Sequence, residues 1–364
     1  MAIGKFNINS ILERCGLIEP IYFGMDIDPT SIIALEINQK NVRLTLDELG
    51  VVELQSGTII KDHLEEPNAL AKVLRNLGSR YKFAGHNSVI AASSKLVTTH
   101  YMIAPKEEDP KKIEFQVQNE AKKAFPNIYN DIYLDYVKIK DEDAEKENNE
   151  KILLIAAHKK SLQPIVAAIK NAELTTKVID VDYYVIQRMF EALPYLFKKP
   201  VTAILNVDSS SSILVVIENK EVTHHFQHGF LIPGFDRIIH YVLQCLCPSL
   251  LSEKSNEKHD INAAKLNPTL ENQFINQLDF LLKTYTNKSD AAKLEQIALT
   301  GRAALIPGVA QLITQKFGVE TVILNPLAEF KIGPNVSSSV VDQIGPACFL
   351  ACGLAMRNKS NDKY

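Results

Sequence analysis

Two acidic, hydroxyl-rich segments carry the residue types that bind phosphate and magnesium. They are FGMDIDPTSIIALEI (23–37) and AILNVDSSSSILVVI (203–217). Each runs from an apolar strand through Asp26 or Asn206, then an aspartate and small hydroxyl residues, into a second aliphatic strand. Turn N–H groups and hydroxyls bind phosphate oxygens, and a carboxylate can bind Mg²⁺. The alternative for either segment taken alone is a polar hairpin turn without a ligand.

Length and composition favour a large globular protein. The chain has 364 residues, enough for two domains, and 46% of them are hydrophobic. A net charge of −3 argues against a protein held on nucleic acid by bulk charge, and no run reaches the ~18 apolar residues of a membrane span. Five cysteines suit a reducing cytoplasm, and residues 1–20 form a leader that does not resemble a signal peptide.

The elements that would position the two segments also repeat. Alternating, β-branched sequence predicts three consecutive strands after the leader, and the same pattern returns in the second half of the chain. The predicted strands cover 21–27, 31–38, 42–54, 202–207, 213–218 and 222–227. Helices and further strands lie between and after them, so we expect an α/β protein with two similar lobes whose hairpins face each other across a cleft.

Several segments together resemble one family, the PilM proteins of type IV pilus assembly, within the wider actin, FtsA and Hsp70 superfamily. The two hairpin segments resemble its phosphate loops, and four further segments match its other motifs. The matching segments are GMDIDPTSII (24–33), NVDSSSS (206–212), EFQVQNEAKKAFP (114–126), KVIDVD (177–182), IALTGRAALIPGV (297–309) and ACGLAMR (351–357).

The resemblance implies an α/β, two-lobed actin-like (ribonuclease-H-like) ATPase fold with a small inserted subdomain. The first lobe would comprise 21–90, 175–200 and 345–360, and the insertion 91–174. The second lobe would comprise 201–344, with a small helical subdomain around 235–290.

The resemblance also implies a nucleotide site in the cleft. The matching cofactor-binding positions are Asp26, Thr30, Ser31, Ser209, Ser210, Ser211 and Gly301. Asp26 would bind Mg²⁺, together with Asp28 and Asp208, and is also the one candidate for a catalytic role.

Several replacements predict that this site is degenerate. Asp28, Asp208 and Arg302 stand where the family has glycine, Ile33 replaces a lysine, and Asn206 replaces an acid. A carboxylate ~4 Å from a phosphate charge costs about 4 kcal/mol at an effective dielectric near 20. A hydroxyl donor returns only about 0.5–1.5 kcal/mol. We therefore expect weak or absent ATP binding and no hydrolysis. The alternative is an active Mg-ATP-dependent switch in which the carboxylates share the metal.

For a partner, the resemblance implies that the insertion binds the cytoplasmic tail of PilN, an inner-membrane protein. The chain would then be a cytoplasmic scaffold peripheral to the inner membrane, in contact with other pilus platform proteins and open to self-association. The predicted groove residues are Ile113, Phe115, Val117, Gln118, Lys122 and Phe125. Alternatively, the apolar stripe of this helix packs on the neighbouring strands instead of facing a partner.

Overall fold

The computed structural model describes residues 22–357 apart from 41–42, 61, 84–85, 108, 140, 142–143, 145, 147, 248–259 and 290. The leader expected over 1–20 lies outside these residues. The fold has sixteen strands within the described part, numbered β1 to β16. Their bounds are Tyr22–Ile27, Ser31–Lys40, Arg43–Glu53, Ile59–Ile60, His63–Leu64, Asn87–Ala92, Val97–Pro105, Ile132–Ile139, Asn149–His158, Thr175–Val181, Val201–Val207, Ser211–Glu218, Glu221–Gly229, Gln296–Thr300, Glu320–Ile323 and Lys331–Ile332.

Nine helices, α1 to α9, accompany these strands in the described residues. Their bounds are Pro67–Arg80, Pro110–Ala124, Lys159–Asn171, Asp182–Ala192, Phe235–Leu246, Pro268–Thr286, Val309–Phe317, Ser338–Ile344 and Phe349–Ala355. Short 3₁₀ turns cover Ser94–Leu96, Tyr129–Asp131, Pro194–Leu196, Ile261–Ala264, Arg302–Leu305 and Gly345–Cys348.

The two main sheets share one topology. The first has the order β10-β6-β1-β2-β3-β16, and the second has the order β13-β12-β11-β14-β15. In both, three antiparallel strands come first in the chain, a fourth strand then pairs in parallel with the first, and a fifth pairs in parallel with the fourth. This duplication confirms the two-lobed α/β fold expected from the sequence.

The first lobe buries both faces of its sheet, because alternate residues of a strand point to opposite faces. Phe23 and Met25 pack with α1 and α3 in one core cluster. Gly24 lies against α9, where an added Cβ would be 2.5 Å from the Ala355 nitrogen. Only glycine therefore allows this helix to approach the strand so closely.

An apolar stretch, Ser338–Ala355, covers α8, the following turn and α9. Among the described residues it alone is long and apolar enough to cross a membrane, but 72% of it is buried inside the fold. A buried core helix of a globular lobe can meet the same criteria of length and composition, so this stretch is weak evidence for a membrane span.

The inserted part of the first lobe has its own sheet, with the order β7-β9-β8. Helix α2 covers one face of this sheet, and Ile113, Val117 and Ala121 pack there on Ile152 and Leu154. Helix α3 follows β9, but it packs with α1 in the core of the first lobe. By packing, the insertion therefore spans β7 to β9, which is narrower than the expected 91–174.

Candidate functional site

Two tight hairpins, one from each lobe, face each other. In the first, Asp28 and Ser31 exchange backbone hydrogen bonds of 3.1 and 3.2 Å, and in the second Asp208 donates to the Ser211 oxygen at 2.9 Å. The non-glycine residues with positive φ in the described chain are Asp62, Asn148, Glu173, Asn219 and Lys220. None lies in either hairpin, so aspartate replaces glycine there without backbone strain.

The Asp28 carboxylate joins the two hairpins. It accepts hydrogen bonds from the Thr30 N–H at 2.9 Å and the Thr30 hydroxyl at 2.5 Å. From the other lobe it accepts the Ser209 N–H at 3.1 Å and the Ser209 hydroxyl at 2.8 Å. All three residues are buried. The donors that the sequence predicts for phosphate thus bind a carboxylate of the chain itself.

Arg302 fills the space beside Asp28, and its side chain is 0% exposed. Its Nη1 donates to Asp26 at 2.7 Å and to Asp208 at 3.0 Å. Its Nε donates to the Ser31 hydroxyl at 2.9 Å and lies 3.7 Å from an Asp28 oxygen, and its Nη2 donates to the Ser31 carbonyl at 3.2 Å. We call Asp26, Asp28, Asp208 and Arg302 the buried ion cluster.

Charges in the buried ion cluster do not balance, because three carboxylates surround one guanidinium. Burial raises the pKa of Asp26 to about 6; Arg302 opposes this rise, while Asp208 and Asp28 add to it. Burial alone would lower the pKa of Arg302, but the three carboxylates outweigh it and raise that pKa above its usual value. Arg302 is therefore charged at every physiological pH.

Gly301 places Arg302 in the cluster. It has a φ of +83°, and an added Cβ would lie 2.5 Å from the Val207 carbonyl oxygen. The Arg302 N–H then donates to Asp208 at 3.0 Å. Gly301 was expected to contact a cofactor, and here it lets the chain turn sharply beside β11.

The remaining predicted phosphate-loop residues lie at the same hairpins. Asn206 accepts the Thr300 hydroxyl at 3.0 Å and donates to Asp208 at 2.6 Å. Ser210 accepts the Phe230 N–H through its carbonyl oxygen at 2.8 Å. Ser211 begins β12 and is only partly buried. The structure thus brings the predicted cofactor-binding residues together, and it adds Arg302 to them.

A phosphate and its metal do not fit this arrangement as it stands. Phosphate would have to displace the Asp28 carboxylate from its four donors, and a metal would have to displace Arg302. In the described residues, no three His, Cys, Asp or Glu side chains are arranged to hold a metal ion. The Mg²⁺ site expected at Asp26, Asp28 and Asp208 therefore requires that Arg302 leave.

A cleft of about 1020 Å³ opens beside the two hairpins. Thr30, Ser209 and Ser210 contribute to its lining, together with residues of α5 such as Asp236 and His240. The four residues of the buried ion cluster are not among those that line it. The cluster is therefore closed off from the space in which the rest of a nucleotide would lie.

The lobes also meet at the start of α4. Asp182 accepts hydrogen bonds from the Ser94 N–H at 3.1 Å and, from the second lobe, the Gln227 amide at 2.8 Å. Burial raises the pKa of Asp182 to about 6, against the pull of these hydrogen bonds. Tyr183 stacks on His225 with ring centroids 4.1 Å apart. This junction is a second polar contact that holds the lobes together.

A second concave site, which we call the groove, lies between the insertion and the first lobe. It has a volume of about 480 Å³. Its lining includes five consecutive residues of β8, Tyr133–Val137, and three of β10, Ile179–Val181. Both strands are at the edge of their sheets. Ile155 and Ala157 of β9 and Tyr184 of α4 add apolar surface.

The residues predicted to bind a partner on α2 have a different environment. Ile113, Val117 and Phe125 are buried in the core of the insertion, so they cannot line a groove as expected. The apolar stripe faces the sheet because the sheet offers α2 its main apolar surface. Phe115 is 65% exposed, and Gln118 and Lys122 are exposed as well, but all three lie on the opposite side of the sheet from the groove.

One signal for the groove was present in the sequence. The run ILLIAA at 152–157 is apolar at every position, so the strand it forms has two apolar faces. Helix α2 covers only the face with Ile152 and Leu154. The other face, with Ile155 and Ala157, forms part of the groove.

The duplicated lobes and the hairpins that meet between them define an actin-like two-lobed protein. The model of the type IV pilus assembly protein PilM family matches residues 24–359. The chain therefore belongs to this family and is a type IV pilus assembly protein, which confirms the resemblance seen in the sequence.

One solved structure agrees with this fold, and two further matches have TM-scores below 0.5. The chain is similar to a PilM–PilN type IV pilus biogenesis complex, with 19% identity, a TM-score of 0.71, and coverage of 94% of this chain and 99% of that chain. The ethanolamine utilization protein EutJ from Carboxydothermus hydrogenoformans has 11% identity, a TM-score of 0.43, and coverage of 93% and 90%. An actin-like ATPase-fold protein from Bacteroides thetaiotaomicron has 10% identity, a TM-score of 0.39, and coverage of 85% and 92%.

Proposed function

We propose that this chain is a pilus-assembly scaffold that binds the cytoplasmic N-terminal tail of a PilN-like membrane protein in the groove. The observation that carries the proposal is the position of the groove along the open edge of β8. A similar fold occurs in a PilM–PilN type IV pilus biogenesis complex. Through such a tail, the chain would be held at the cytoplasmic face of the inner membrane.

The open edge of β8 suits an extended peptide. Within the described residues this strand pairs only with β9, so its N–H and C=O groups that point away from β9 have no partner strand. An extended tail can add there as a further strand, with its backbone giving affinity and its side chains giving specificity. The edge of β10 forms the facing side of the groove.

The floor and the ends of the groove add specificity. Ile155 and Ala157 provide an apolar floor. At one end, Asp180 binds Arg188 at 2.7 Å and Arg357 at 2.6 Å, which fixes two guanidinium groups. An apolar stretch of a short tail, flanked by polar groups, fits such a lining.

We further propose that the cleft between the lobes does not bind ATP. In support, the Asp28 carboxylate takes the hairpin donors and Arg302 takes the carboxylates that a metal would need. Self-association and contacts with other platform proteins stay predictions from the family resemblance. The active Mg-ATP-dependent switch is the alternative.

Hydrogen exchange with a bound peptide tests the partner site. The probe is a synthetic peptide of the cytoplasmic N-terminal residues of the PilN-like protein encoded in the same genome. We expect it to bind, and to slow amide exchange over Tyr133–Val137 and Ile179–Val181 while leaving α2 unchanged. Absence of binding would refute the scaffold proposal. Protection confined to α2 would instead place the site around Phe115.

Calorimetric titration of the wild-type protein with Mg-ATP tests the cleft. We expect no binding at millimolar concentration. A dissociation constant in the micromolar range would refute the proposal and favour the ATP-dependent switch, whatever the outcome with the peptide.

A further inference from the structure

We infer that Asp28 and Arg302 together replace a bound phosphate and its cation, so that the chain itself supplies the ligand that holds its two lobes closed. This inference rests on the proposal that the cleft does not bind ATP, and it adds a cause. The phosphate position beside the cleft is taken by side chains of the chain itself.

Asp28 plays the part of the anion. Two backbone N–H groups and two hydroxyls converge on its carboxylate, one pair from Thr30 and one from Ser209. Such a concave set of donors is the usual chemistry of a phosphate site. Hydrogen bonds to an ionised acceptor are about twice as strong as neutral ones, so this carboxylate is a good ligand for the set.

Arg302 plays the part of the cation. It extends from the second lobe and binds Asp26 and the Ser31 hydroxyl of the first lobe, as well as Asp208 of its own lobe. A guanidinium can satisfy several acceptors at once in a fixed planar geometry. Without it, three buried carboxylates would face each other with no compensating charge.

The contacts of both residues cross between the lobes. Asp28 of the first lobe binds Ser209 of the second, and Arg302 of the second binds Asp26 and Ser31 of the first. A ligand that binds two lobes favours their closed arrangement, but an exogenous ligand can leave. An attached side chain stays beside its partners at a high effective concentration, so we expect the relative position of the two lobes not to depend on nucleotide.

Thermal unfolding of single-residue variants tests both halves. Arg302→Ala should lower the melting temperature by about 5 °C or more, because it leaves buried charges unpaired. Arg75→Ala is the control, because Arg75 donates one exposed hydrogen bond to the Asn171 carbonyl, and it should change the melting temperature by less than about 2 °C.

Added ligands then test the substitution itself. Millimolar Mg²⁺ should raise the melting temperature of Arg302→Ala, and millimolar inorganic phosphate should raise that of Asp28→Ala. Neither should change wild type or Arg75→Ala by more than about 1 °C. The inference is overturned if Arg302→Ala melts like wild type, or if neither variant responds to its ligand more than the control does.

Two further measurements cover the case in which Arg302→Ala fails to fold. Arg302→Lys retains the charge, and we expect it to fold, to melt below wild type, and to show no change in melting temperature with Mg²⁺. In wild type, the Thr30 and Ser209 amides should exchange slowly without nucleotide and no more slowly with Mg-ATP. Slower exchange of these amides with Mg-ATP would overturn both the inference and the proposal that the cleft does not bind ATP. It would leave the proposal of peptide binding at the groove unaffected.

Discussion

Tyr133 is the residue at which the groove can be tested most sharply. It lies on β8, lines the groove and is 43% exposed. A fully buried tyrosine removes about 200 Å² from water, so a tail that covers the exposed 43% of it buries about 85 Å². At about 25 cal/mol per Å², this surface contributes about 2 kcal/mol. Tyr133→Ala should therefore weaken peptide binding about 30-fold.

The assay is fluorescence anisotropy with the labelled PilN-like peptide, and Phe115→Ala is the matched control. Phe115 is also an exposed aromatic residue of the insertion, at 65%, but it lies on α2 across the sheet. We expect its replacement to leave the dissociation constant unchanged within about twofold. The groove is refuted if Phe115→Ala weakens binding about 30-fold and Tyr133→Ala does not, provided that both variants show the wild-type circular dichroism spectrum.

Two stability predictions concern residues close to where the lobes meet. Gly301→Ala should destabilise the chain beyond the roughly 1–3 kcal/mol of a strained backbone residue, because its added Cβ would also lie 2.5 Å from the Val207 carbonyl oxygen. Gly57 also has a positive φ, +86°, but an added Cβ there would meet open space, so Gly57→Ala should show only the backbone cost in chemical denaturation. Equal losses of unfolding free energy in the two variants would contradict the clash. For Asp182, whose pKa is raised by burial from 3.8 to about 6, the folded state keeps its proton while the unfolded state loses it. The free energy of unfolding should then fall by about 2 kcal/mol as the pH rises from 4 to 6, relative to Asp182→Asn. The measurement is urea denaturation of both proteins across this pH range. The prediction is contradicted if their free energies of unfolding change with pH in the same way.

The hairpins illustrate how far local sequence can predict this fold. Alternating apolar residues, Asp-Pro and serine-rich turns, and the repeat of both predict two antiparallel openings, and β1, β2, β11 and β12 appear where they were expected. Strand pairing within a hairpin is local, so turn chemistry and periodicity suffice to predict it.

The groove illustrates where such reasoning stops. The stripe of Ile113 and Val117 was considered both as a groove and as a packing face, and amphipathic spacing alone cannot distinguish the two. The distinction depends on what covers each face of the insertion sheet. Helix α2 covers one face, and the edges of β8 and β10 border a space on the other.

Arg302 was recognised in the sequence as a lost glycine, and Asp28 and Asp208 as unfavourable negative charges. All three residues stand where the family has glycine. Two new carboxylates and one new guanidinium in these loops have complementary charges, and this complementarity could have indicated the buried ion cluster. The sequence alone determined the duplicated α/β lobes and the two hairpin turns, because periodicity and turn chemistry are local properties. Only the tertiary structure decided that Arg302 reaches Asp26 and that Asp28 takes the phosphate donors, because these contacts join residues far apart in the chain.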